Sequence, residues 1–130
     1  DYANKHNLNN RVHFLKNVSF NDLPGIYQMA DLFLFPSEYE GFGIPVVEAL
    51  SSGVPVIAAT GSCLEEAGGA GSIYIDPKDS SALAAQINKV LNDPEKRQIM
   101  IETGLEHLEQ FSDRKIAGQL NNLYQNIIKC

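Results

Sequence analysis

Two carboxylates and two glycines lie close together in the stretch from Pro36 to Leu50. Glu40 and Glu48 are eight residues apart, and Gly41 and Gly43 follow directly after Glu40. A carboxylate accepts several hydrogen bonds, so it suits the paired hydroxyls of a ribose or hexose ring. Glycines allow a backbone to turn tightly and to approach a ligand closely. These residue types therefore predict a pocket for a ligand that carries neighbouring hydroxyls.

The backbone amides of Phe42, Gly43 and Ile44 suggest a second kind of contact. They precede Pro45, a residue favoured in the first turn of a helix. The first amides of a helix have no partner within it and lie at its positive end, where phosphate oxygens bind well. A ligand that combines phosphates with diols is a nucleotide sugar.

A purely structural interpretation of the same residues remains open at this point. A Gly-x-Gly sequence before a helix is also typical of a tight turn between a strand and a helix. The helical period places Val46, Val47, Ala49 and Leu50 on the buried side and Glu48 opposite them, which favours a solvated glutamate. Glu40 fits equally well as a charge on a surface loop.

Positive charge is missing from the middle of the chain. Residues 17–77 contain no Lys or Arg, but they contain eight acidic side chains: Asp22, Asp31, Glu38, Glu40, Glu48, Glu65, Glu66 and Asp76. Catalysis at a diphosphate normally needs cations or a metal ion. Neither these carboxylates nor the histidines show the spacing of a metal site, so no metal and no cofactor is predicted. For a nucleotide diphosphate, the cations must come from residues outside this chain.

The hydrophobic pattern predicts an α/β fold, with a parallel sheet of about four strands flanked by helices. Strands are expected at residues 11–15, 32–35, 54–59 and 72–75, and helices at 2–8, 45–52, 63–67, 80–91, 94–109 and after Ser112. A further helix ends near Ala30. It begins either at Ser19, with Asp22 completing a capping box, or at Asp22, with Pro24 in the first turn.

The last helix has the clearest amphipathic pattern, with one apolar stripe of Ile116, Leu120, Leu123, Tyr124, Ile127 and Ile128. In a parallel sheet, ligands bind beyond the carboxyl ends of the strands. The stretch around Glu40 follows one such end.

Composition narrows the class of protein further. The chain has 130 residues, enough for one domain, with a net charge of −6 that argues against nucleic acid and anionic membranes as main partners. It contains neither a run of about 20 apolar residues nor a secretory signal pattern. Cys63 and Cys130 match no metal or redox spacing and are interpreted as free thiols of a reducing compartment. A cytoplasmic location is expected.

The stretch from Glu40 to Ala49 resembles the E-x7-E motif of the family 4, or group 1, retaining glycosyltransferases. The resemblance covers nearly the whole chain, including these flanking segments: Ala30-Asp31, Pro36-Ser37, residues 53–58, residues 76–79 and Phe111-Ser112. It implies a GT-B enzyme with two Rossmann-like domains, of which residues 1–130 form part of the C-terminal, nucleotide-sugar-binding domain. The N-terminal acceptor domain would lie upstream of Asp1.

The resemblance also implies roles for individual residues. Glu48 would bind the ribose hydroxyls of the donor, and Glu40 would act as the catalytic-site carboxylate that meets the donor sugar near the reacting carbon. Amides of Phe42, Gly43 and Ile44 would contact the sugar and phosphates, and Val18 would lie against the base. The family transfers the sugar with retention, usually without a metal, and its Arg and Lys that bind the diphosphate lie upstream.

Strand order raises a structural question. The family's sheet runs 3-2-1-4-5-6, with the strand of Val12 third in the chain and that of Leu32 fourth. Two intervening strands would lie upstream of Asp1. The hypothesis is that the Val12 strand pairs directly with the Leu32 strand, or that another chain fills the gap through self-association of the fragment.

The sequence therefore predicts a donor-binding fragment of a retaining glycosyltransferase, inactive by itself. The acceptor of the full-length enzyme would be a glycan, a lipid-linked molecule or a small molecule. That enzyme would be cytoplasmic and could also lie peripherally at the inner face of the membrane. Two alternatives remain: a nucleotide-sugar epimerase of GT-B fold, and a non-catalytic flavodoxin-like interaction module.

Overall fold

The order of elements follows the predicted alternation of strands and helices. The computed structural model describes residues 2–128. Its strands are β1 (Phe33–Phe35), β2 (Val56–Ala59) and β3 (Ile73–Ile75). Its helices are α1 (Tyr2–Lys5), α2 (Leu23–Gln28), α3 (Ile44–Ser51), α4 (Leu64–Gly68), α5 (Ser80–Leu91), α6 (Pro94–Leu108) and α7 (Asp113–Ile128). Short 3-10 turns occupy Phe20–Asp22, Gly69–Gly71 and Glu109–Phe111.

The three strands form one parallel sheet in the order β1-β2-β3. Leu34 lies opposite Ile57 across the first pair, and Ala58 lies opposite Tyr74 across the second. All four residues of β2 are buried, as expected for a continuous apolar run in the centre of a parallel sheet. The predicted α/β class is therefore confirmed, with three strands rather than about four.

The predicted strand at residues 11–15 is wrong. No strand is assigned before β1 in the described part of the chain, and Phe14 and Leu15 are 80% and 64% exposed. Alternating apolar residues form a strand only beside a neighbour that accepts and donates the ladder hydrogen bonds. β1 pairs only with β2 among residues 2–128, so the proposed direct pairing of Val12 with the Leu32 strand is also wrong. Self-association beside β1 stays a prediction.

Two hydrophobic clusters cover the two faces of the sheet. One contains residues of α3, β2 and α4, together with Val54 from the connection between α3 and β2: Val46, Ala49, Leu50, Val54, Val56, Ala58, Ala59, Leu64 and Ala67. The other joins Ile57 and Ile75 of the strands to Val90 of α5 and Met100 of α6. Because successive residues of a strand point to opposite faces, Ile57 packs on the side opposite to Val56 and Ala58. This two-sided packing fixes the carboxyl ends of the strands.

Helix boundaries largely follow the capping residues. The Asp93 carboxylate accepts a hydrogen bond from the amide of Lys96 at 2.9 Å, with Pro94 in the first turn of α6, as predicted. The two residues proposed as the start of α2, Ser19 and Asp22, begin two consecutive elements. Ser19 accepts from the amide of Asn21 and caps the 3-10 turn, and α2 follows with Pro24 in its first turn.

Helix α7 forms where the amphipathic pattern predicts it, but its apolar stripe faces solvent. The six residues of the stripe are between 42% and 82% exposed. No residue of α7 is buried, whereas every other helix after α2 contributes at least one buried residue. The pattern therefore gave the correct helical period and no information about what the stripe contacts.

Candidate functional site

The loop between β1 and α3 reaches the helix through a glycine in a left-handed conformation. Gly43 is the N-cap of α3 and has a φ of +100°. A Cβ at this position would lie 2.5 Å from Cδ2 of Leu64 in α4. Only glycine satisfies both constraints, and it places the first amides of α3, beginning with Ile44, at the carboxyl edge of the sheet. Pro45 occupies the first turn, as predicted.

The Glu40 carboxylate is half-buried at the beginning of this loop. The Ser37 hydroxyl donates a hydrogen bond to its Oε1 at 2.7 Å. The Cys63 thiol, which is free, donates to the backbone oxygen of Glu40 at 3.2 Å. Both the side chain and the backbone of Glu40 are therefore held by neighbouring residues. Cys130 lies outside the described residues.

Glu48 lies in the second turn of α3 and is half-buried rather than fully solvated. The Tyr27 hydroxyl of α2 donates a hydrogen bond to Glu48 Oε2 at 3.1 Å. Burial, together with the hydrogen bond to the Glu48 carboxylate and its negative charge, raises the pKa of Tyr27 to about 12. The hydroxyl therefore stays protonated and donates to the carboxylate throughout the neutral range.

A cavity of about 350 Å³ opens between α2 and α3 beside Glu48. It is lined by Phe20, Leu23, Pro24, Tyr27, Gln28, Val47, Glu48, Ser51 and Ser52. Its wall is largely apolar, and Glu48 is the one carboxylate in that lining. A flat, partly apolar group such as a nucleobase suits the wall, and the carboxylate suits hydroxyls.

The predicted site residues are not all brought into contact. Among residues 2–128, Glu40 and Glu48 share no hydrogen bond, and each has its own hydroxyl partner. Glu48 lies about 6 Å along the helix axis beyond Ile44, given a rise of about 1.5 Å per residue. Val18 is 38% exposed and does not line the cavity, although Phe20, two residues later, does.

Charges near the glycine loop are mainly negative. Lys78, the first cation after the Lys- and Arg-free segment, lies 3.5 Å from the Glu38 carboxylate, with both side chains well exposed. Glu65 also lies beside the sheet edge; the Thr60 hydroxyl and the Gly61 amide donate to it and hold its pKa below the usual range. Within the described part of the chain, no three His, Cys, Asp or Glu side chains are arranged to hold a metal ion.

Tyr27, Ser37 and Phe20 are the residues that the sequence reasoning missed. The helical period alone places Tyr27 on the apolar face of α2 and predicts no role for its hydroxyl. A tyrosine on a buried face usually has a partner for its hydroxyl, and this was the available signal. The position of Ser37, three residues before Glu40 in a loop, gave no comparable indication.

A parallel sheet with helices on both faces, and a glycine-capped helix at its carboxyl edge, defines a Rossmann-like domain. The family model described as "Glycosyl transferases group 1" matches residues 1–107. The chain therefore belongs to the group 1 glycosyltransferase family, as its E-x7-E motif indicated. The matched part ends within α6 and does not include α7.

Two curated relatives are also named as glycosyltransferases. The chain is 39% identical over 114 residues to O-antigen chain mannosyltransferase B of Escherichia coli, covering 88% of this chain and 30% of that protein. It is 32% identical over 129 residues to D-inositol 3-phosphate glycosyltransferase of Corynebacterium urealyticum, covering 98% of this chain and 30% of the relative. The chain thus spans about a third of the length of these relatives.

Two solved structures resemble the fold closely. Sucrose-phosphate synthase from Thermosynechococcus elongatus superposes with a TM-score of 0.81 at 30% identity, over 98% of this chain and 33% of that one. Anabaena HepE, solved in complex with UDP-glucose, gives a TM-score of 0.81 at 27% identity, over 95% of this chain and 35% of that one. The fold is that of a GT-B C-terminal domain. No helix within residues 2–128 is long and apolar enough to cross a membrane.

Proposed function

We propose that this chain is the donor-binding part of a retaining glycosyltransferase, which transfers a sugar from a nucleotide sugar to an acceptor. The observation that carries the proposal is the paired arrangement of Glu40 and Glu48. Each carboxylate is oriented by a hydroxyl, and they lie on either side of the Gly43 cap in a chain of the group 1 family. No cofactor or resident metal is part of the proposal; the nucleotide sugar is a substrate.

The proposed chemistry divides the donor between the two carboxylates. Glu48 accepts hydrogen bonds from the ribose hydroxyls, and the base lies in the cavity between α2 and α3. The contact of Val18 with the base, which the family resemblance implies, would lie outside the lining of that cavity. Glu40 accepts from hydroxyls of the donor sugar close to its anomeric carbon. Amides of Phe42, Gly43 and Ile44 contact the sugar and the phosphates.

In the transfer itself, the bond from the anomeric carbon to the diphosphate oxygen breaks, the acceptor hydroxyl oxygen forms the new bond to that carbon, and the hydroxyl proton passes to the leaving diphosphate. The product keeps the anomeric configuration. The negative charge that develops on the leaving diphosphate needs positive groups. Because residues 17–77 contain no Lys or Arg, we propose that cations outside this chain supply them, and that the isolated chain is inactive.

The family assignment favours transfer over both alternatives. A GT-B epimerase would need an acid and a base that act on the sugar, but the side-chain partners of Glu40 and Glu48 within residues 2–128 are the hydroxyls of Ser37 and Tyr27, which stay protonated near neutral pH. An interaction module leaves the spacing of the two carboxylates unexplained. We also propose that the acceptor is a glycan, a lipid-linked molecule or a small molecule. The intact enzyme would be cytoplasmic, either free or peripheral at the inner face of the membrane.

Replacement of Glu48 tests this function. Glu48→Gln in the intact enzyme keeps the side-chain shape and removes the charge that accepts from the diol. We expect its affinity for the nucleotide diphosphate, measured by titration calorimetry, to fall about tenfold or more, the value of a charged hydrogen bond. Glu102→Gln, on the exposed face of α6, is the control and should bind as the wild type does.

Two results would contradict the proposal in different ways. Unchanged affinity of Glu48→Gln would remove the role of Glu48 and leave the donor site to be placed elsewhere. Absence of binding by the wild-type enzyme to UDP, GDP or ADP and to their sugars would remove the proposed function as a whole.

A further inference from the structure

We propose that Tyr27 is a positioning residue of the donor site: its hydroxyl holds the Glu48 carboxylate in the orientation that receives the ribose diol. This inference rests on the proposed function, since it assigns the ribose to Glu48. Tyr27 and Glu48 are 21 residues apart in the chain and belong to different helices, α2 and α3.

The first step of the argument is that the Tyr27 ring is itself fixed. It packs edge-on against the ring of Phe33 in β1, with centroids 5.3 Å apart and an interplanar angle of 76°. Tyr27 and Phe33 both pack against the hydrophobic cluster of α3, β2 and α4. Edge-to-face contacts of this kind hold an aromatic ring in one orientation. The hydroxyl oxygen is therefore presented to α3 from a rigid position.

The second step concerns the carboxylate. A glutamate side chain has several rotatable bonds, and restricting them on binding costs affinity. The Tyr27 hydroxyl donates to Oε2 of Glu48, so it restricts the side chain before any ligand arrives. A carboxylate can accept about four hydrogen bonds. Oε1 and the remaining capacity of Oε2 can therefore accept the two hydroxyls of a ribose.

The third step is that the contact lies at the ligand side of α3. Tyr27 and Glu48 both line the cavity of about 350 Å³ between α2 and α3. A hydrogen bond that served only to stabilise the packing of α2 against α3 could lie anywhere along their interface. Here the hydrogen bond borders the open space that a nucleoside would occupy, with Phe20 and Leu23 on the same wall.

The pKa of Tyr27, raised to about 12, agrees with this role. A tyrosine that must always donate has to remain protonated, and burial beside a carboxylate ensures this. Near neutral pH almost none of this hydroxyl is in the phenolate form, so it is not a base there. Its proposed contribution is to orientation.

Tyr27→Phe removes only the hydroxyl and therefore tests the proposal. The probes are UDP, GDP and ADP, each beside its 2′,3′-dideoxy counterpart, titrated calorimetrically into the intact enzyme. Because the dideoxy compounds lack the diol, they bind independently of the orientation of Glu48. We expect Tyr27→Phe to weaken binding of the ribonucleotide about five- to tenfold and to leave binding of the dideoxy nucleotide unchanged.

Tyr74→Phe is the matched control. Its hydroxyl also makes a hydrogen bond, donating to the Gly69 carbonyl at 2.7 Å, but it lies away from the cavity. This variant should lose a comparable amount of thermal stability without any change in discrimination between the two nucleotides. It separates an effect on the fold from an effect on the carboxylate.

The outcomes distinguish the inference from the function on which it rests. If Glu48→Gln loses discrimination for the ribose but Tyr27→Phe retains the wild-type ratio, the inference is overturned and the proposed function stands. Equal weakening of both nucleotides by Tyr27→Phe also overturns it, since that result indicates a structural role alone. If the wild type binds none of the diphosphates, the proposed function fails, and the inference fails with it.

Discussion

Hydroxyl donors define the chemistry of this site at the scale of single residues. Ser37 donates to Glu40, and Tyr27 donates to Glu48, so neither carboxylate depends on a nearby cation for its orientation. A hydroxyl leaves the full negative charge of its partner, whereas an ion pair would offset it. Both carboxylates therefore remain strong acceptors for the hydroxyls of a sugar.

The pKa of Tyr27 leads to a prediction about alkaline pH. Its folded-state value of about 12 lies above the ordinary value of 10.0, so the native state favours the protonated form. This contribution to stability is fully present below about pH 10 and is lost as the pH rises towards 12. Absorbance titration near 295 nm should show one tyrosine ionising near pH 12, and Tyr27→Phe should remove that step.

Tyr74→Phe is the control for this titration, because the pKa of Tyr74 is also raised by burial. Its replacement should leave the step near pH 12 in place. A step near pH 12 that survives in Tyr27→Phe would contradict the assignment of the raised pKa to Tyr27.

Site residues differ in how far the sequence could predict them. Glu40, Gly43 and Glu48 were identified because their types and spacing lie within a single stretch. The role of Tyr27 depends on a contact across 21 residues, which local periodicity cannot show. Periodicity alone also suggested a solvated Glu48, since it does not include the neighbouring helix α2.

At the scale of elements, the junction of β1 with α3 depends on one glycine. Gly43→Ala would place a Cβ against Leu64 and force alanine into a φ of +100°. We expect the free energy of unfolding to fall by about 2–3 kcal/mol, the cost of such backbone strain with an added clash. Chemical denaturation measures this change.

Gly41→Ala is the control in the same loop, because a Cβ at Gly41 meets no atom within 4 Å. Its unfolding free energy should remain within about 0.5 kcal/mol of the wild type. Equal losses for the two variants would contradict the special role assigned to the Gly43 conformation.

Elements with strong local signals were predicted well. Helix α5 has the predicted bounds, and α6 begins at the predicted Asp93 cap and ends one residue early. The strand expected at residues 11–15 failed because alternation of Val12 and Phe14 is a local property. Strand formation also requires a neighbouring strand, and the sequence of one segment does not contain that information.

At the scale of the whole molecule, close approach of backbones holds α6 against the sheet layer. A Cβ on Gly71 would lie 2.5 Å from the amide nitrogen of Gly104, which is backbone and cannot move aside easily. Gly71→Ala should therefore separate α6 from the turn at Gly69–Gly71 and lower the unfolding free energy by about 2–4 kcal/mol. Thermal and chemical denaturation measure the effect.

Gly118→Ala is the control for Gly71→Ala, and we expect it not to lower the stability. Gly118 lies inside α7, and a Cβ there meets no atom within 4 Å. Alanine favours the helix by up to about 1 kcal/mol over glycine, so helicity of α7 should rise or remain unchanged. A loss of stability as large as that of Gly71→Ala would contradict the view that α7 is free of close contacts on that side.

The fold class could be predicted from the sequence, because short apolar runs that alternate along the chain with amphipathic helices specify an α/β layer arrangement. The sequence could not predict what contacts the exposed stripe of α7. An apolar helix face indicates that the face is suited to burial, but it does not identify the surface that would cover it. The stripe from Ile116 to Ile128 shows this limit.

The absence of Lys and Arg between residues 17 and 77 has a kinetic consequence. Every charged side chain of that segment is an acid, and the chain as a whole carries a net charge of −6. Its own electric field therefore repels an approaching anion, and dissolved salt screens that repulsion over about 8 Å at physiological ionic strength. For this chain alone, encounter with a nucleoside diphosphate should become faster as salt is added, which is the opposite of attraction into a cationic cleft.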